Sequence, residues 1–250
     1  MTYDPMPSPD KPVWEPSAER IERANISRFM RFVRESTGNE DIRRYAPLHD
    51  FSARQPEKFW SLVWEFCGIR AHGDLEPVLV DREKMPGARW FPNVTLNFAQ
   101  NLLRFKDERV AIVFRNEWGH ERELTYAQLH TEVGRLAHAL KQAGVGIGDR
   151  VAGFMPNIPE TIIAMLAATS LGATWSSCSP DFGIRGVVDR FGQIAPKVLF
   201  TADMYGYGGK RFDCLEKIRG VLDEMPSIEK LVVVPYSGQP LELDGLRNAV

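Results

Sequence analysis

The chain has 250 residues, of which 44% are hydrophobic and 26% charged, and its formal net charge is −2. This composition is typical of a globular protein with a substantial core and not of a disordered chain. Because 31 basic residues are spread among 33 acidic ones without a polybasic tract, the sequence argues against binding to nucleic acid or to a membrane surface.

Cysteine usage and the N-terminal sequence indicate the compartment. Cys67, Cys178 and Cys214 lie far apart, so they predict neither a disulfide framework nor paired metal ligands. The N-terminus lacks a basic segment followed by an apolar core, and no apolar run is long enough to span a bilayer. We therefore expect a cytoplasmic protein without a signal peptide or membrane anchor.

The N-terminal part of the chain is predicted to be helical. Residues 1–16 are Pro-rich and expected to be extended, and an apolar stripe behind the cap residue Ser17 predicts one helix up to about residue 37. Further helices are predicted within "QPEKFWSLVWEFCGI", which ends at Gly68, and within "LNFAQNLLRF". We interpret residues 17–107 as a helical cap region that precedes a second region, residues 108–250.

After residue 108 the hydrophobic period changes. "RVAIVFRN" and "HERELTY" predict a β-hairpin around the turn "NEWG", and Thr125 with Gln128 forms a capping box that begins the next helix. Four strands are then predicted, in "DRVAGFM", "TWSSCS", "KVLFTA" and "EKLVVVP". Three helices alternate with them, in "PETIIAMLAATSL", "GIRGVVDRFGQIA" and "RFDCLEKIRGVLDEM". This alternation predicts an α/β fold, a mostly parallel sheet with helices on both faces, whose ligands bind beyond the carboxyl ends of the strands.

Two glycine-rich stretches raise the question of phosphate binding. "GVGIGDR" (residues 144–150) follows a helix and precedes a strand, the reverse of the dinucleotide fingerprint, so a helix end is favoured. "YGYGGKR" (residues 205–211) follows a strand and precedes a predicted helix, and carries Lys210 and Arg211 beside three glycines. Backbone N–H groups and two cations at such a point suit a phosphate, while an exposed turn with a solvated charge pair is the alternative.

The stretch "GATWSSCSPDFG" (residues 172–183) places three serines and one cysteine between a tryptophan and a Pro-Asp-Phe-Gly turn. Cys178 has no histidine near it in the local pattern, so a small residue that fills a tight strand end is favoured over a nucleophile. The five histidines are scattered along the chain. We therefore predict no catalytic residue and no metal ligand in this chain.

Three stretches in fixed order resemble AMP-forming acyl-CoA synthetases of the adenylate-forming superfamily. They are "FWSLVWEFCGI" with "WFPNVTLNFAQNLL", then the stretch from "ELTYAQLH" to "ATSLGA", and finally "GATWSSCSPDFG". The resemblance covers about residues 20–235. In acetyl- and propionyl-CoA synthetases the third stretch passes through Gly-Gly-Phe-Ser-Pro, whereas here it looks like the version found in acetoacetyl-CoA synthetases.

The resemblance implies a reaction in two steps and a place for one substrate. ATP and acetoacetate, with Mg²⁺, give an acyl-adenylate and pyrophosphate, and the thiol of CoA then displaces AMP; no covalently bound cofactor is implied. By alignment with the family, CoA contacts fall on two loops: Pro180, Asp181 and Phe182 in the first, and Tyr207, Gly208, Gly209 and Lys210 in the second. Lys210 stands where relatives carry an arginine, which keeps the charge but loses the bidentate fork.

Several parts of the family's active site do not occur in the sequence. It contains neither the Thr-Gly-x-Pro-Lys phosphate loop nor the C-terminal domain with its adenylation lysine. We interpret the chain as the N-terminal part of a longer enzyme and expect no ligase activity from these residues alone. Two alternatives stay open: another short-chain acyl-CoA synthetase, for acetate or propionate, and a non-catalytic module that binds CoA or a nucleotide.

Overall fold

The chain divides into two compact units, Met1–Thr95 and Leu96–Val250. The structure, a computed structural model, describes residues 12–250, so most of the segment predicted to be extended, 1–16, lies outside the described residues. None of the helices within residues 12–250 is long and apolar enough to cross a bilayer. The boundary predicted between residues 107 and 108 stays a prediction.

The described part of the first unit is helical and then irregular, with four short strands. Its elements are α1 (Ala18–Arg23), α2 (Asn25–Thr37), α3 (Tyr45–Arg54), α4 (Pro56–Cys67), β1 (His72–Gly73), β2 (Leu79–Val80), β3 (Arg89–Trp90) and β4 (Val94–Thr95). Ser17 caps α1 and Gly68 ends α4 in the left-handed conformation, both as predicted. The core of this unit consists of buried residues from α2, the segment after it, α3 and α4: Phe29, Val33, Ile42, Leu48, Phe51 and Leu62.

Two features of this unit differ from the sequence prediction. The helix predicted from Ser17 to about residue 37 is broken, because Ala24 has an extended backbone (φ −65°, ψ 142°). Helix α3 has no counterpart among the predicted elements, and Pro47 lies inside it. Proline is tolerated there because the first turn of a helix does not use its backbone N–H groups.

The second unit contains a short helix, two hairpins and an alternating strand and helix region. Its elements are α5 (Phe98–Leu102), β5 (Val110–Arg115), β6 (Glu121–Thr125), α6 (Tyr126–Gln142), β7 (Arg150–Phe154), α7 (Pro159–Ser170), β8 (Thr174–Cys178), α8 (Ile184–Phe191), β9 (Val198–Ala202), β10 (Met204–Tyr207), β11 (Lys210–Asp213), α9 (Leu215–Glu224) and β12 (Lys230–Val234). The predicted hairpin is β5 with β6, and the predicted capping box of Thr125 and Gln128 is present.

Four parallel strands in the order β12-β9-β7-β8 form the central sheet. Side chains alternate between its two faces, as the period of a strand requires. Val151, Val198 and Phe200 pack into a core with α6 and α7, whereas Phe154, Leu199 and Leu231 pack into a second core with α8 and α9. The predicted α/β fold, a parallel sheet with helices on both faces, is confirmed.

The segment 205–211 forms a hairpin and does not lead directly into a helix. Strands β10 and β11 pair antiparallel, and between them Gly208 and Gly209 have φ values of +59° and +74°. Two positive φ values in a two-residue turn are typical of the type I′ hairpin turn, for which glycine is favoured. Helix α9 therefore begins at Leu215, later than the predicted start at Arg211.

Candidate functional site

A cavity of about 780 Å³ opens at the carboxyl ends of the parallel strands in the second unit. Residues that follow β7, β8 and β12 reach it, together with the turn of the first hairpin and both strands of the second. They are Phe114, Arg115, Asn116, Glu117, Pro156, Asn157, Ile158, Ser179, Pro180, Asp181, Tyr205, Gly206, Tyr207, Phe212 and Tyr236. This is the edge at which α/β sheets bind their ligands.

Aromatic rings form a large part of the cavity wall. Tyr205 and Phe212 stack with centroids 4.9 Å apart and planes 18° apart, and Phe114 meets Tyr236 edge to face at 6.4 Å. Aromatic faces of this kind suit a planar ring.

The loop after β8 carries three of the residues predicted to contact CoA. Pro180 is buried and Asp181 is exposed, and both line the cavity. Phe182 is not among the lining residues; its ring lies 3.9 Å from the guanidinium carbon of Arg190 in α8. The sequence therefore predicted the loop, and the structure brings two of its three named residues to the cavity.

Two cationic side chains, Lys217 and Arg190, contact residues of this loop. Lys217 in α9 donates a hydrogen bond of 2.9 Å from Nζ to the carbonyl oxygen of Pro180, and its Nζ lies 5.5 Å from the ring centroid of Tyr205. Arg190 covers Phe182 from the other helix. Asp181, between these two residues, is the charged member of the loop that lines the cavity.

The turn of the second hairpin carries the other four predicted residues. Tyr207 lines the cavity. Lys210 is paired with Tyr207 across the two strands; it is exposed and is not among the lining residues. The backbone N–H groups of Gly208 and Gly209 donate to the two carboxylate oxygens of Glu117, at 3.0 and 2.8 Å. The hydrogen bond from Gly209 and then that from Gly208 lower the pKa of Glu117.

The turn between β5 and β6 is itself tied to the residues after β12. The side-chain oxygen of Asn116 accepts hydrogen bonds from the backbone N–H groups of Trp118 and His120, both at 3.0 Å, and its amide nitrogen donates to the hydroxyl oxygen of Tyr236 at 2.9 Å. Sequence reasoning did not find Asn116, Glu117 or Tyr236 as site residues. The contacts that join Asn116 to Tyr236 and Glu117 to Gly208 span 120 and 91 residues of the chain, so no local pattern signals them.

Cys178 lies at the end of β8 beside this loop. It is buried, and desolvation raises the pKa of its thiol to about 11. A thiol that is protonated at neutral pH is a poor nucleophile, which supports the interpretation of Cys178 as a packing residue. Within residues 12–250 no group of three or more His, Cys, Asp or Glu side chains could hold a metal ion.

Comparison with known families shows where this architecture belongs. Residues 98–248, which include the whole cavity wall, match the family described as AMP-binding enzyme. The chain belongs to the AMP-binding enzyme family. Residues 45–102 match a second family, described as acetyl-coenzyme A synthetase N-terminus. The predicted resemblance to acyl-CoA synthetases is confirmed.

Individual relatives of this AMP-binding chain carry a narrower name. It is 44% identical over 234 residues to an acetoacetyl-coenzyme A synthetase of Rhizobium meliloti (strain 1021), covering 94% of this chain and 35% of that protein. It is 38% identical to an acetoacetyl-CoA synthetase of Danio rerio, covering 96% and 36%. A solved structure of acetoacetyl-CoA synthetase from Streptomyces lividans matches with a TM-score of 0.87 at 38% identity, covering 96% of this chain and 37% of that one. The chain thus spans 35 to 37% of the length of these relatives.

Proposed function

We propose that the polypeptide that carries this chain is an acetoacetate–CoA ligase, which uses ATP and releases AMP and pyrophosphate. The observation that carries the proposal is the identity of 44 and 38% to acetoacetyl-CoA synthetases across 94 and 96% of this chain. In the first step the acetoacetate carboxylate attacks the α-phosphorus of ATP and the bond to pyrophosphate breaks. In the second, the sulfur of CoA attacks the acyl carbon, AMP leaves with the electron pair of the broken C–O bond, and the thiol proton passes to solvent.

The cavity at the strand ends is proposed to receive the nucleotide part of CoA. Its aromatic faces, Tyr205 and Tyr207 among them, suit a purine ring, and Lys210 at the hairpin tip supplies a positive charge for a phosphate. The set proposed to contact CoA is Pro180, Asp181, Phe182, Tyr207, Gly208, Gly209 and Lys210. Of these, Pro180, Asp181 and Tyr207 have support from the geometry because they line the cavity.

Mg²⁺ and the cytoplasmic location belong to the same proposal. The described residues do not offer a cluster that fits a metal ion, so Mg²⁺ is proposed only as the companion of the ATP phosphates, which commonly supply part of its ligands.

AMP release by the whole polypeptide tests the proposed function. With ATP and CoA present, acetoacetate is expected to give AMP faster than acetate or propionate. Lys210→Ala is expected to raise the KM for CoA several-fold and to flatten its dependence on salt, because one phosphate contact is lost. Lys106→Ala, which removes an exposed lysine outside the cavity, is the matched control. Equal rates with all three acids would contradict the assignment of the acid.

A second candidate acid has a specific observation in its favour. The chain is 34% identical, over 91% of its length, to a protein named malonamoyl-CoA synthetase vrtB from Penicillium aethiopicum. Malonamate and acetoacetate both carry a carbonyl group on the third carbon, so malonamate belongs in the same assay. If no acid releases AMP and CoA still binds, the remaining alternative is a non-catalytic CoA-binding module.

A further inference from the structure

The carboxylate of Glu117 lies at a position that is also suited to an anionic ligand. The N–H groups of Gly208 and Gly209 point to one spot, as in the backbone concavities that bind phosphates and other anions. Here the anion comes from the chain itself, because each carboxylate oxygen of Glu117 accepts one of the two N–H groups, at 3.0 and 2.8 Å. A phosphate cannot use these two donors while Glu117 holds them.

Trp118, the residue after Glu117, packs against the face of the same hairpin. A Cβ atom built on Gly206 would overlap the ring of Trp118, so the indole lies directly against the backbone of β10. The guanidinium carbon of Arg211, in β11, lies 5.1 Å from the centroid of the same ring. Glu117 at the tip and Trp118 on the face therefore fix β10 and β11 against the turn between β5 and β6.

These contacts decide what the hairpin presents to the cavity. Arg211 is engaged with Trp118 and the turn N–H groups are engaged with Glu117. Among the residues of the hairpin tip, Lys210 is then the cation available to a ligand phosphate, and Tyr205 and Tyr207 remain directed to the cavity.

We propose that Glu117 is a positioning residue for CoA: it fills the anion-binding turn of Gly208 and Gly209 and so fixes Tyr207 in the cavity wall and Lys210 opposite it in the strand pair. This inference rests on the proposed function and deepens it. In this role Glu117 acts on the hairpin turn and not on the reacting atoms. Its effect should therefore appear in the step that uses CoA and not in the formation of the acyl-adenylate.

Measuring the two half-reactions separately distinguishes a positioning role in CoA binding from a general loss of activity. In the whole polypeptide, Glu117→Ala is expected to raise the KM for CoA about tenfold, because two charge-assisted hydrogen bonds are lost. Exchange of pyrophosphate into ATP with acetoacetate, which needs no CoA, should stay within about twofold of the wild type. Glu117→Gln keeps one acceptor oxygen and should give a smaller rise. Glu123→Ala, which removes an exposed carboxylate from β6 of the same hairpin, is the control.

A double variant tests whether Glu117 acts through Lys210. If it does, Glu117→Ala with Lys210→Ala should raise the KM for CoA little beyond the larger of the two single effects. A KM for CoA in Glu117→Ala equal to that in Glu123→Ala would overturn the inference, and so would an equal fall of both half-reactions. A wild-type polypeptide that exchanges pyrophosphate but never consumes CoA would overturn the proposed function itself, and the inference with it.

Discussion

The two cysteines of the second unit, Cys178 and Cys214, are buried, and the pKa of each thiol is raised. Desolvation raises the pKa of Cys178 to about 11 and that of Cys214 to about 12, from an ordinary value of 9.0. In the folded chain both therefore keep their protons at a pH where the unfolded chain releases them. Their contribution to stability is complete below about pH 9 and is lost as the pH rises toward the folded values.

We expect the free energy of unfolding to fall as the pH rises above 9. Urea unfolding measured at several values between pH 7.5 and 10.5 checks this. Because tyrosines and lysines titrate in the same range, the informative quantity is the difference between the wild type and Cys214→Ala. The variant should lose stability with pH less steeply; parallel curves for the two proteins would contradict the prediction.

Gly153 in β7 permits close packing with its neighbour strand. A Cβ atom there would lie 2.6 Å from the ring of Trp175 in β8. Gly153→Ala should lower the free energy of unfolding by about 1–3 kcal/mol, since the ring must shift within a packed sheet. Gly134→Ala in α6 is the control, because no atom lies within 4 Å of the added Cβ and alanine favours helix. Thermal unfolding of both variants decides: equal losses would show that Trp175 moves aside freely.

At the residue scale, sequence reasoning found the loops of the site but not the side chains that hold them. Asp181 and Tyr207 came from resemblance to a family, and both line the cavity. Lys217, which holds Pro180, and Glu117, which holds Gly209, are 37 and 92 residues from their partners. Such contacts depend on the tertiary fold, so a local pattern does not reveal them.

Among the elements, helix ends are where local sequence and structure agree best. Thr125 accepts a hydrogen bond from the backbone N–H of Gln128 at 3.2 Å, and the Gln128 side chain accepts one from the N–H of Thr125 at 2.9 Å. Both bonds are formed within four residues, and the chain needs no distant partner to make them. This is why the start of α6 was predictable to the residue.

Thr125→Ala should lower the free energy of unfolding by about 1 kcal/mol, because the backbone N–H of Gln128 at the start of α6 loses the hydroxyl that accepts its hydrogen bond. Thr131→Ala, on an exposed face in the same helix, removes a hydroxyl that bonds only to a carbonyl of the preceding turn and should change stability by less than about 0.5 kcal/mol. Chemical denaturation compares the two. A larger loss in Thr131→Ala would show that the cap is not what stabilises α6.

The elements that the sequence pattern misplaced lie near residues with a positive φ. Helix α8 ends at Phe191 although its apolar pattern continues, and Ala195 has a φ of +46°. Segment 205–211 reads as a loop before a helix, yet two glycines with positive φ fold it back as a hairpin. Glycine permits that conformation but does not demand it.

At the scale of the whole molecule, the three hydrophobic cores follow the division of the chain. The cores on the two faces of the sheet are built from residues between Ala99 and Leu246, whereas the third core is built from residues between Phe29 and Leu62. Ala99 of α5 is fully buried in the first of these cores, and the side chain of Asn97 donates to the carbonyl oxygen of Thr169 at 2.8 Å. Residues 96–107 thus contribute to the sheet unit.

Two fragments test where an independent unit begins. Residues 96–250 should fold with the parallel sheet intact, as judged by dispersed amide signals and slow hydrogen exchange in β7 and β9. Residues 108–250 lack α5 and the hydrogen bond from Asn97 to the carbonyl oxygen of Thr169 in α7. We therefore expect this fragment to unfold at a lower urea concentration. Equal stability of the two fragments would instead support the boundary predicted at residue 108.

The strand order of the sheet also governs when the chain can fold. In the order β12-β9-β7-β8, each hydrogen-bonded pair joins strands that are separated by at least one complete helix. A nascent polypeptide leaving the ribosome therefore carries one edge of β7 unpaired until β9 has been synthesised, and one edge of β9 unpaired until β12 has been synthesised. Non-local pairing of this kind is slow and exposes aggregation-prone strands. We expect this sequence to depend on the rate of translation and on chaperones more than a helical protein of equal length does.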